Sequence, residues 1–502
     1  MLRARKIEIS TGSKHIAIIH TLDMERLHLR ALDRVEVRSK RKKKTIICTV
    51  DQLNLASEQD DKDIHLKPGE IGLSDEAFHA LKLADGDPVQ LRTVLPPLSF
   101  SYVKAKMKGK AFTKKAFYEV INDIVSGYYT SIEIAFFLFV CEVRGLSVTE
   151  ILYLTQAMVD TGKSLPHVYK VMADKHSIGG VPGNRTTPIV VSILASLGVP
   201  MLSNFTRAIT SPSGTADTLE PYINVHIDIA RIKLALRKNN GCFVWLGNQG
   251  FAPADHILIQ AERQLGLNSQ GIMLASIFAK KKAVGITDLL LEIPYGPSCK
   301  VLNKSQAVNL RNKAQYIARS LHMKLVAYLV PTSEPTGRGI GPILEFSDVL
   351  SVLENKNYPK DLFDKSVTEA TLLYAHITNQ SKAKSKKQCL EALTSGRAKE
   401  SFEAIRKMQG RPREELSLNT KCVKVYAEKS GRISGISIVK INDLARYIGL
   451  PHDRNAGLYI HKKNRDYVKK GDLLLSVYVY DQLLARQVTS YIDGNKNIFT
   501  VK

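Results

Sequence analysis

Apolar and polar residues alternate with the period of β-strands over the first part of the chain. Residues 1–95 contain short alternating runs such as "HIAIIH", "RVEVRS" and "TIICTV", which are typical of half-buried strands. One helix interrupts these runs, because Ser74 can cap its start and Gly86 can end it before the next strand, "PVQLR". The pattern predicts a small β-barrel-like domain that ends before Pro96 and Pro97.

Beyond this boundary the apolar residues recur with helical spacing. "TSIE" at 130–133 and "SVTE" at 147–150 are capping boxes that open apolar runs, so we expect a helical domain over 100–165. Between 166 and 415, strand candidates such as "GCFVWLG" and "TDLLLEIP" alternate with helical stretches, which predicts an α/β domain with a central sheet. Strand-like pieces over 420–502 predict an α+β domain. The fold class is therefore expected to be multidomain α/β.

Composition changes this picture mainly through charge. The chain has 502 residues with 44% hydrophobic and 24% charged residues, as expected for globular domains, but its formal net charge is +24. A positive charge of this size favours anionic substrates or polyanions. The densest basic runs, "RSKRKKKT", "SKAKSKK" and "HKKNRDYVKK", lie far apart and nearly lack the aromatic residues on which single-stranded nucleic acid stacks. We interpret them as solvated turns or loops and expect no nucleic acid partner.

Several classes of protein are disfavoured by the sequence. The longest apolar segments, "IEIAFFLFVC" and "PIVVSILASLGVPML", are shorter than the roughly 18 to 20 residues that span a bilayer. The first residues lack the apolar stretch of a signal peptide. Six cysteines show neither a C-x-x-C pair nor a histidine at metal spacing. We therefore expect a cytoplasmic protein with free thiols, no metal and no membrane partner.

The stretch "ADKHSIGGVPGNRTTPIVV", residues 173–191, places donors and bare backbone directly before a helix. Thr187 is expected to cap a helix that holds Pro188 in its first turn, which aims free N–H groups and the positive end of the dipole at the glycines. The glycines let the backbone approach a ligand, while Lys175 adds a charge and Ser177 a donor. Together these features predict a phosphate site.

A second hydroxyl-rich stretch, "TRAITSPSGTADTLE" at 206–220, precedes another helix expected near Thr215. Two such helix starts about thirty residues apart indicate one shared anion site. Two ordinary capped turns are the alternative interpretation.

Four stretches, in this order, resemble motifs of the thymidine phosphorylase family: "DKHSIGGVPGNRTTP", "RAITSPSGTADTLE", "ASIFAKKKAVGITDLLLEIPYGP" and "PTGRGIGPILE". The resemblance covers roughly residues 100 to 500. The N-terminal domain and the first motif are similar to the branch with archaeal AMP phosphorylases and bacterial proteins regarded as thymidine phosphorylases. The resemblance implies that phosphate attacks C1′ of a nucleoside and releases the base and a sugar 1-phosphate. It also implies a homodimer or larger homo-oligomer, a substrate cleft between the helical and α/β domains, and no cofactor besides phosphate as co-substrate.

The resemblance also implies roles for individual residues. The phosphate contacts are Lys175, Ser177, Gly180, Thr187, Thr206 and Thr215, where Thr206 replaces a family serine that falls near Phe205. The base and nucleoside contacts are Arg207, Thr210, Ser211, Ser276, Lys280 and Lys300. The catalytic residues are Lys175, His176 and Lys280. Lys280, or a proton from His176, would stabilise the departing base, and His176 can alternatively act as a neutral hydrogen-bonding residue.

Two departures from the family bear on the choice of base. Ala261 stands where pyrimidine enzymes present an arginine, with Arg263 two positions further on, and Asn268 stands where the AMP branch has an aspartate taken as its proton donor. A purine leaves best when protonated, whereas a pyrimidine can leave as a stabilised anion, so we expect thymidine to be preferred. The alternatives are an AMP phosphorylase that gives ribose 1,5-bisphosphate, and a catalytically weak scaffold that binds nucleic acid. A phosphoribosyltransferase of the related fold is less favoured, because the glycine turn ends in Asn184 and offers no magnesium carboxylates.

Overall fold

The computed structural model of the protein contains two compact units. It describes residues 1–12, 15–53, 66–165, 169–208, 211–247, 249–267, 269–410, 412, 415–495 and 497–502. One unit consists of Met1–Thr161 and Pro253–Met273, and the other of Gly162–Ala252 and Leu274–Lys502.

The N-terminal residues form a closed six-stranded barrel in the order β1-β5-β2-β4-β3-β6, which confirms the barrel-like domain. Alternating apolar residues point into its core, where Val35 and Val37 are fully buried. The helix after Ser74 is present, but it ends at Lys82, which adopts the left-handed conformation expected of Gly86. The elements are β1 Leu2–Lys6, β2 Ile16–His20, α1 Thr21–Arg26, β3 Arg34–Ser39, β4 Lys44–Leu53, β5 Glu70–Leu73, α2 Asp75–Leu81 and β6 Pro88–Thr93.

Helices make up the rest of this unit, as the apolar spacing predicted. Both predicted capping boxes are formed, with Thr130 and Ser147 as the N-cap residues. The stretch Pro253–Met273 belongs to this unit, although it lies within the range assigned to the α/β domain. The helices are α3 Phe100–Met107, α4 Lys114–Val125, α5 Ser131–Arg144, α6 Val148–Asp160 and, later in the chain, α10 Pro253–Leu265.

The other unit is built on a five-stranded parallel sheet of order β11-β10-β7-β8-β9. Helix α7 is apolar on all sides, and its residues Ile189–Leu194 are buried in the core. In open α/β sheets, ligands bind outside the carboxyl ends of the strands. The elements are β7 Ala173–Ser177, α7 Thr186–Ser196, β8 Met201–Asn204, α8 Thr215–Leu219, α9 Ile229–Asn239, β9 Gly241–Val244, α11 Gln270–Ala283, β10 Asp288–Tyr295, α12 Lys304–Ser320, β11 Lys324–Pro331, α13 Pro342–Leu353, α14 Lys360–Thr378, α15 Lys382–Thr394 and α16 Arg397–Gln409. Residues 270–273 of α11 belong to the unit that begins with Met1.

The last part of the same unit is the expected α+β region, with two small sheets ordered β12-β15-β17-β13 and β16-β14-β18. Its core is a separate apolar cluster that includes Leu458 and Val477. The elements are β12 Gly339–Ile340, β13 Lys421–Tyr426, β14 Gly431–Ile436, α17 Ile438–Tyr447, β15 Gly457–Ile460, β16 Tyr467–Val468, β17 Leu473–Val479, α18 Gln482–Gly494 and β18 Phe499–Val501.

Three predictions from composition can be compared with the described residues. None of the helices there is long and apolar enough to cross a membrane. All six cysteines are free thiols, as expected, and five of them are buried. The basic run at 38–45 forms the β3–β4 hairpin with its turn, but the run at 381–387 lies in helix α15 rather than in a loop.

Candidate functional site

A cavity of about 130 Å³ brings the two predicted phosphate stretches together. Thr210 lies outside the described residues, and neither Ser276 nor Lys280 lines this cavity. Ten of the predicted site residues line it: Lys175, His176, Ser177, Gly180, Thr187, Thr206, Arg207, Ser211, Thr215 and Lys300. The fold therefore favours the shared anion site over two unrelated turns.

Cationic side chains line this cavity. The described lining contains Lys175, Arg185, Arg207 and Lys300 and no aspartate or glutamate. Carboxylates outside the lining form ion pairs with the first three of these cations. The cations and hydroxyls nevertheless converge in one concave space, which favours an anion such as a phosphate.

The glycines give the loop between β7 and α7 its shape. Gly179, Gly180 and Gly183 have φ values of +85°, +87° and +73°, a region that side chains rarely adopt. A Cβ on Gly180 would lie 3.1 Å from Cγ of Lys300, so the lysine stem packs over bare backbone. A Cβ on Gly183 would clash with the backbone oxygen of Thr336. Only glycine permits the approach at Gly183, whereas a Cβ at Gly180 would require the lysine stem to shift by a few tenths of an ångström.

Gly183→Ala should therefore disrupt the loop more than Gly179→Ala, which serves as a matched control. Both substitutions carry the cost of a positive φ, but a Cβ on Gly179 would meet nothing within 4 Å. We expect Gly183→Ala to be destabilised by about 1 to 3 kcal/mol beyond the control. Chemical unfolding measures this difference. Equal stability of the two variants would contradict the close approach at Gly183.

Helix α7 begins earlier than the sequence predicted. Its N-cap is Arg185 and its first residue is Thr186, so Thr187 is the second residue of the helix and not its cap. The hydroxyl of Thr186 accepts a hydrogen bond from Lys175 Nζ at 2.5 Å, and Thr187 remains on the cavity wall. The helix start still faces the glycine loop, as the anion site requires.

Arg185 joins the two halves of the site, and sequence reasoning missed it. Its guanidinium donates to Thr218 Oγ1 at 3.0 Å and to the backbone oxygen of Ser213, both in the second stretch. It also pairs with the buried carboxylate of Glu345. Glu345 ends the motif "PTGRGIGPILE", so part of that motif's task is to hold Arg185. The signal available in the sequence was an arginine inside a glycine-rich phosphate loop.

Lys175, the charge that the sequence places beside the glycines, is buried and paired. Its side chain is 1% exposed and forms ion pairs with Glu292 Oε2 at 3.1 Å and Glu369 Oε2 at 3.4 Å. Burial opposes its charge, but Glu369 and Glu292 outweigh burial and raise the pKa of Lys175. The lysine is thus a permanently charged residue that the fold holds against two carboxylates.

His176 is neutral in this environment. Burial, together with the positive charges of Lys281 and Lys280, lowers the pKa of His176 well below its usual value. An imidazolium is therefore not the resting form, which favours the neutral hydrogen-bonding role over proton donation from a charged ring.

Helix α11 carries the two predicted base contacts on one face. Lys280 Nζ donates to Ser276 Oγ at 2.6 Å, because residues four apart share one face of a helix. The next residue, Lys281, is fully buried and donates to Asp174 Oδ2 at 2.6 Å and to Asn204 at 2.6 and 2.7 Å. These bonds tie α11 to β7 and β8, and so fix the position of Lys280.

Ala261 and Asn268 are the two departures from the family that bear on which base is preferred. Ala261 is half-buried on α10, and Arg263 on the same helix is exposed to solvent. Asn268 lies outside the described residues, so the inference about the proton donor continues to rest on the sequence.

Comparison with known proteins identifies both central domains. Residues 100–162 match the helical bundle domain of a glycosyl transferase family, and residues 169–316 match the a/b domain of that family. A protein of Legionella pneumophila (strain Paris) named "Putative thymidine phosphorylase" is 37% identical over 414 residues, which cover 82% of this chain and 80% of that protein. A protein of the same name from Bradyrhizobium diazoefficiens is 34% identical over 486 residues, covering 96% and 92% respectively.

Two solved structures share the fold at low sequence identity. Anthranilate phosphoribosyltransferase from Thermus thermophilus has a TM-score of 0.52 and 17% identity, and covers 61% of this chain and 98% of its own. The enzyme from Saccharomyces cerevisiae has a TM-score of 0.50 and 14% identity, with coverages of 62% and 97%. This likeness supports the helical-plus-α/β architecture.

Proposed function

We propose that this chain catalyses a reaction typical of the family to which it belongs. That family is the glycosyl transferase family whose members combine a helical bundle domain with an a/b domain, and it includes the proteins named "Putative thymidine phosphorylase". As a member of this family, the protein is a pentosyltransferase. The reaction proposed is phosphorolysis, in which thymidine and inorganic phosphate give thymine and 2-deoxyribose 1-phosphate. The observation that carries this proposal is the cavity where two hydroxyl-rich segments meet among four cations and, within the described lining, no carboxylate.

Each group in the site has a task in this reaction. Phosphate must approach C1′ as the bond to the base breaks, and the sugar then has oxocarbenium character. The hydroxyls of Ser177, Thr187 and Thr215 can orient the phosphate, while Lys175 supplies a fixed positive charge. The backbone of the glycine loop allows the close contact. The fold places the glycine loop and the two helix starts that carry these groups before substrate binds.

The departing base is assigned to helix α11 in this proposal. A pyrimidine leaves with negative charge, which the ammonium of Lys280 and the hydroxyl of Ser276 can stabilise without transferring a proton. The neutral ring of His176 can donate one further hydrogen bond. A purine would need a proton donor, and Asn268 cannot supply a titratable proton. We therefore propose a pyrimidine nucleoside, with AMP phosphorolysis as the second candidate because of the shared N-terminal domain.

A panel of nucleosides tests this assignment. With phosphate, we expect thymine or uracil to be released from thymidine or uridine faster than adenine from AMP, and no release without phosphate. Lys280→Ala should slow base release, while Lys282→Ala on the same helix, whose ammonium donates to the Leu321 backbone at 3.0 Å, should not. Efficient cleavage of AMP with thymidine and uridine inert would overturn the pyrimidine assignment.

The same panel separates the other classes of function. Transfer that needs phosphoribosyl diphosphate and magnesium, with no reaction on phosphate, would indicate a phosphoribosyltransferase. Salt-dependent retention of RNA without any phosphorolysis would indicate a nucleic-acid-binding scaffold. The homo-oligomer, the cytoplasmic location, the interdomain cleft and phosphate as the only co-substrate stay predictions.

A further inference from the structure

The ammonium of Lys175 belongs to a buried cluster of two carboxylates and two ammonium groups. Glu292 comes from β10, and Lys365 and Glu369 come from α14. The side chains of both glutamates are fully buried, and that of Lys365 is 9% exposed. Charged groups are rarely buried so completely, and here their formal charges cancel only if all four are ionised. The proposed reaction assigns a task to Lys175 but none to Glu292, Lys365 or Glu369.

The ammonium of Lys175 has two well-aligned hydrogen-bond acceptors and one longer ionic contact. It donates to Thr186 Oγ1 at 2.5 Å and Glu292 Oε2 at 3.1 Å, and lies 3.4 Å from Glu369 Oε2. An ammonium has three N–H groups, so a phosphate oxygen that accepts from the third N–H takes the place of the contact with Glu369. The contact with Glu369 is the longest of the three. Glu369 is therefore the partner that Lys175 gives up at least cost.

When Lys175 moves away, Glu369 loses more of its stabilising contacts than Glu292 does. Glu292 keeps Lys365 at 2.5 Å and two hydrogen bonds from Asn184 at 3.1 Å. Neither oxygen of Glu369 has a well-aligned hydrogen-bond partner among the described residues. A buried carboxylate without a counter-charge costs several kcal/mol, so it becomes protonated instead.

The surroundings of Glu369 favour the same outcome. Burial raises the pKa of Glu369, the nearby Lys175, Lys365 and Thr186 lower it, and the negative charge of Glu292 raises it further, so that the pKa is raised on balance. Burial also raises the pKa values of Tyr328 on β11 and of Cys299, two further groups near the cluster, so both remain neutral. His176 and Lys281 lie on the Lys175 side of the cluster, and burial lowers the pKa of each. An incoming phosphate adds negative charge beside Glu369.

We propose that Glu369 takes up one proton from solvent when phosphate binds, and that it acts as a positioning residue which releases Lys175 to the phosphate. An O–H bond forms on the Glu369 carboxylate and no bond of the phosphate breaks. The inference rests on the proposed function, because phosphate must enter the cavity. Since binding takes up a proton, the affinity for phosphate falls as the pH rises.

The proton can be counted by titration calorimetry of inorganic phosphate into the whole protein in two buffers of different ionisation enthalpy. At about pH 8 we expect the native protein to take up about one proton more per phosphate than Glu369→Gln. The phosphate's own titration is common to both and cancels. Glu354→Gln removes a glutamate paired with Lys399 on the surface, and it should behave like the native protein.

A second measurement needs no variant. Trp245 is the only tryptophan, and its ring lies 5.2 Å from the Arg207 guanidinium on the cavity wall, so its fluorescence can report phosphate binding. We expect the affinity for the phosphate dianion to fall by up to about tenfold per pH unit on the alkaline side. A flat profile, or equal proton uptake by native protein and Glu369→Gln, would overturn the inference and leave phosphorolysis standing. No phosphate binding by the native protein would overturn both.

Discussion

Lys175→Met should abolish most phosphorolysis and also destabilise the protein. Loss of a fixed charge at the attacking phosphate is expected to lower kcat/KM for phosphate by about a hundredfold or more. The structure adds an effect on folding, because the substitution leaves Glu292 and Glu369 buried with Lys365 as the only neighbouring ammonium of the described cluster. Breaking a buried ion pair costs about 3 to 5 kcal/mol.

A double variant separates the two effects. Adding Glu369→Gln to Lys175→Met removes one negative charge as well, so we expect stability to recover in large part while phosphorolysis stays low. Chemical unfolding and initial rates, with the nucleoside that gives the fastest base release, measure the two quantities. If the double variant regained full phosphate turnover, Lys175 would have no role beyond balancing the charge of the buried cluster.

Arg185→Lys should weaken phosphate use although it keeps the positive charge. A lysine cannot reproduce the planar fork that reaches Thr218, Ser213 and Glu345 together. We expect the two phosphate stretches to shift relative to each other. Since hydrogen bonds to charged groups contribute about 1.5 to 3 kcal/mol, the KM for phosphate should rise by about tenfold or more, with a smaller decrease in kcat.

The matched control for this change is Arg406→Lys. Arg406 pairs with Glu403 on the half-exposed surface of α16, where ion pairs contribute about 0 to 1 kcal/mol. It should leave both KM and stability unchanged. An Arg185→Lys variant with native phosphate saturation would contradict the role of Arg185 as the link between the two stretches.

Local patterns in the sequence were sufficient for much of the architecture. The capping boxes at Thr130 and Ser147 form as predicted, because their bonds join residues three apart. The positive φ values of Gly179 and Gly180 are likewise a property of the local chain. Ser276 and Lys280 meet because they are one helical turn apart. In each case the physical cause lies within a few residues of the effect.

The tertiary structure alone decided the partners of the buried charges. Lys175 meets Glu292 because β7 pairs with β10 in parallel register, and it meets Glu369 because α14 packs against this sheet. Arg185 and Glu345 are far apart in the sequence, and only the tertiary fold brings their side chains together. A charged residue looks the same in sequence whether it is solvated or paired in a core. Its burial and partners depend on strand order and packing, which no local pattern encodes.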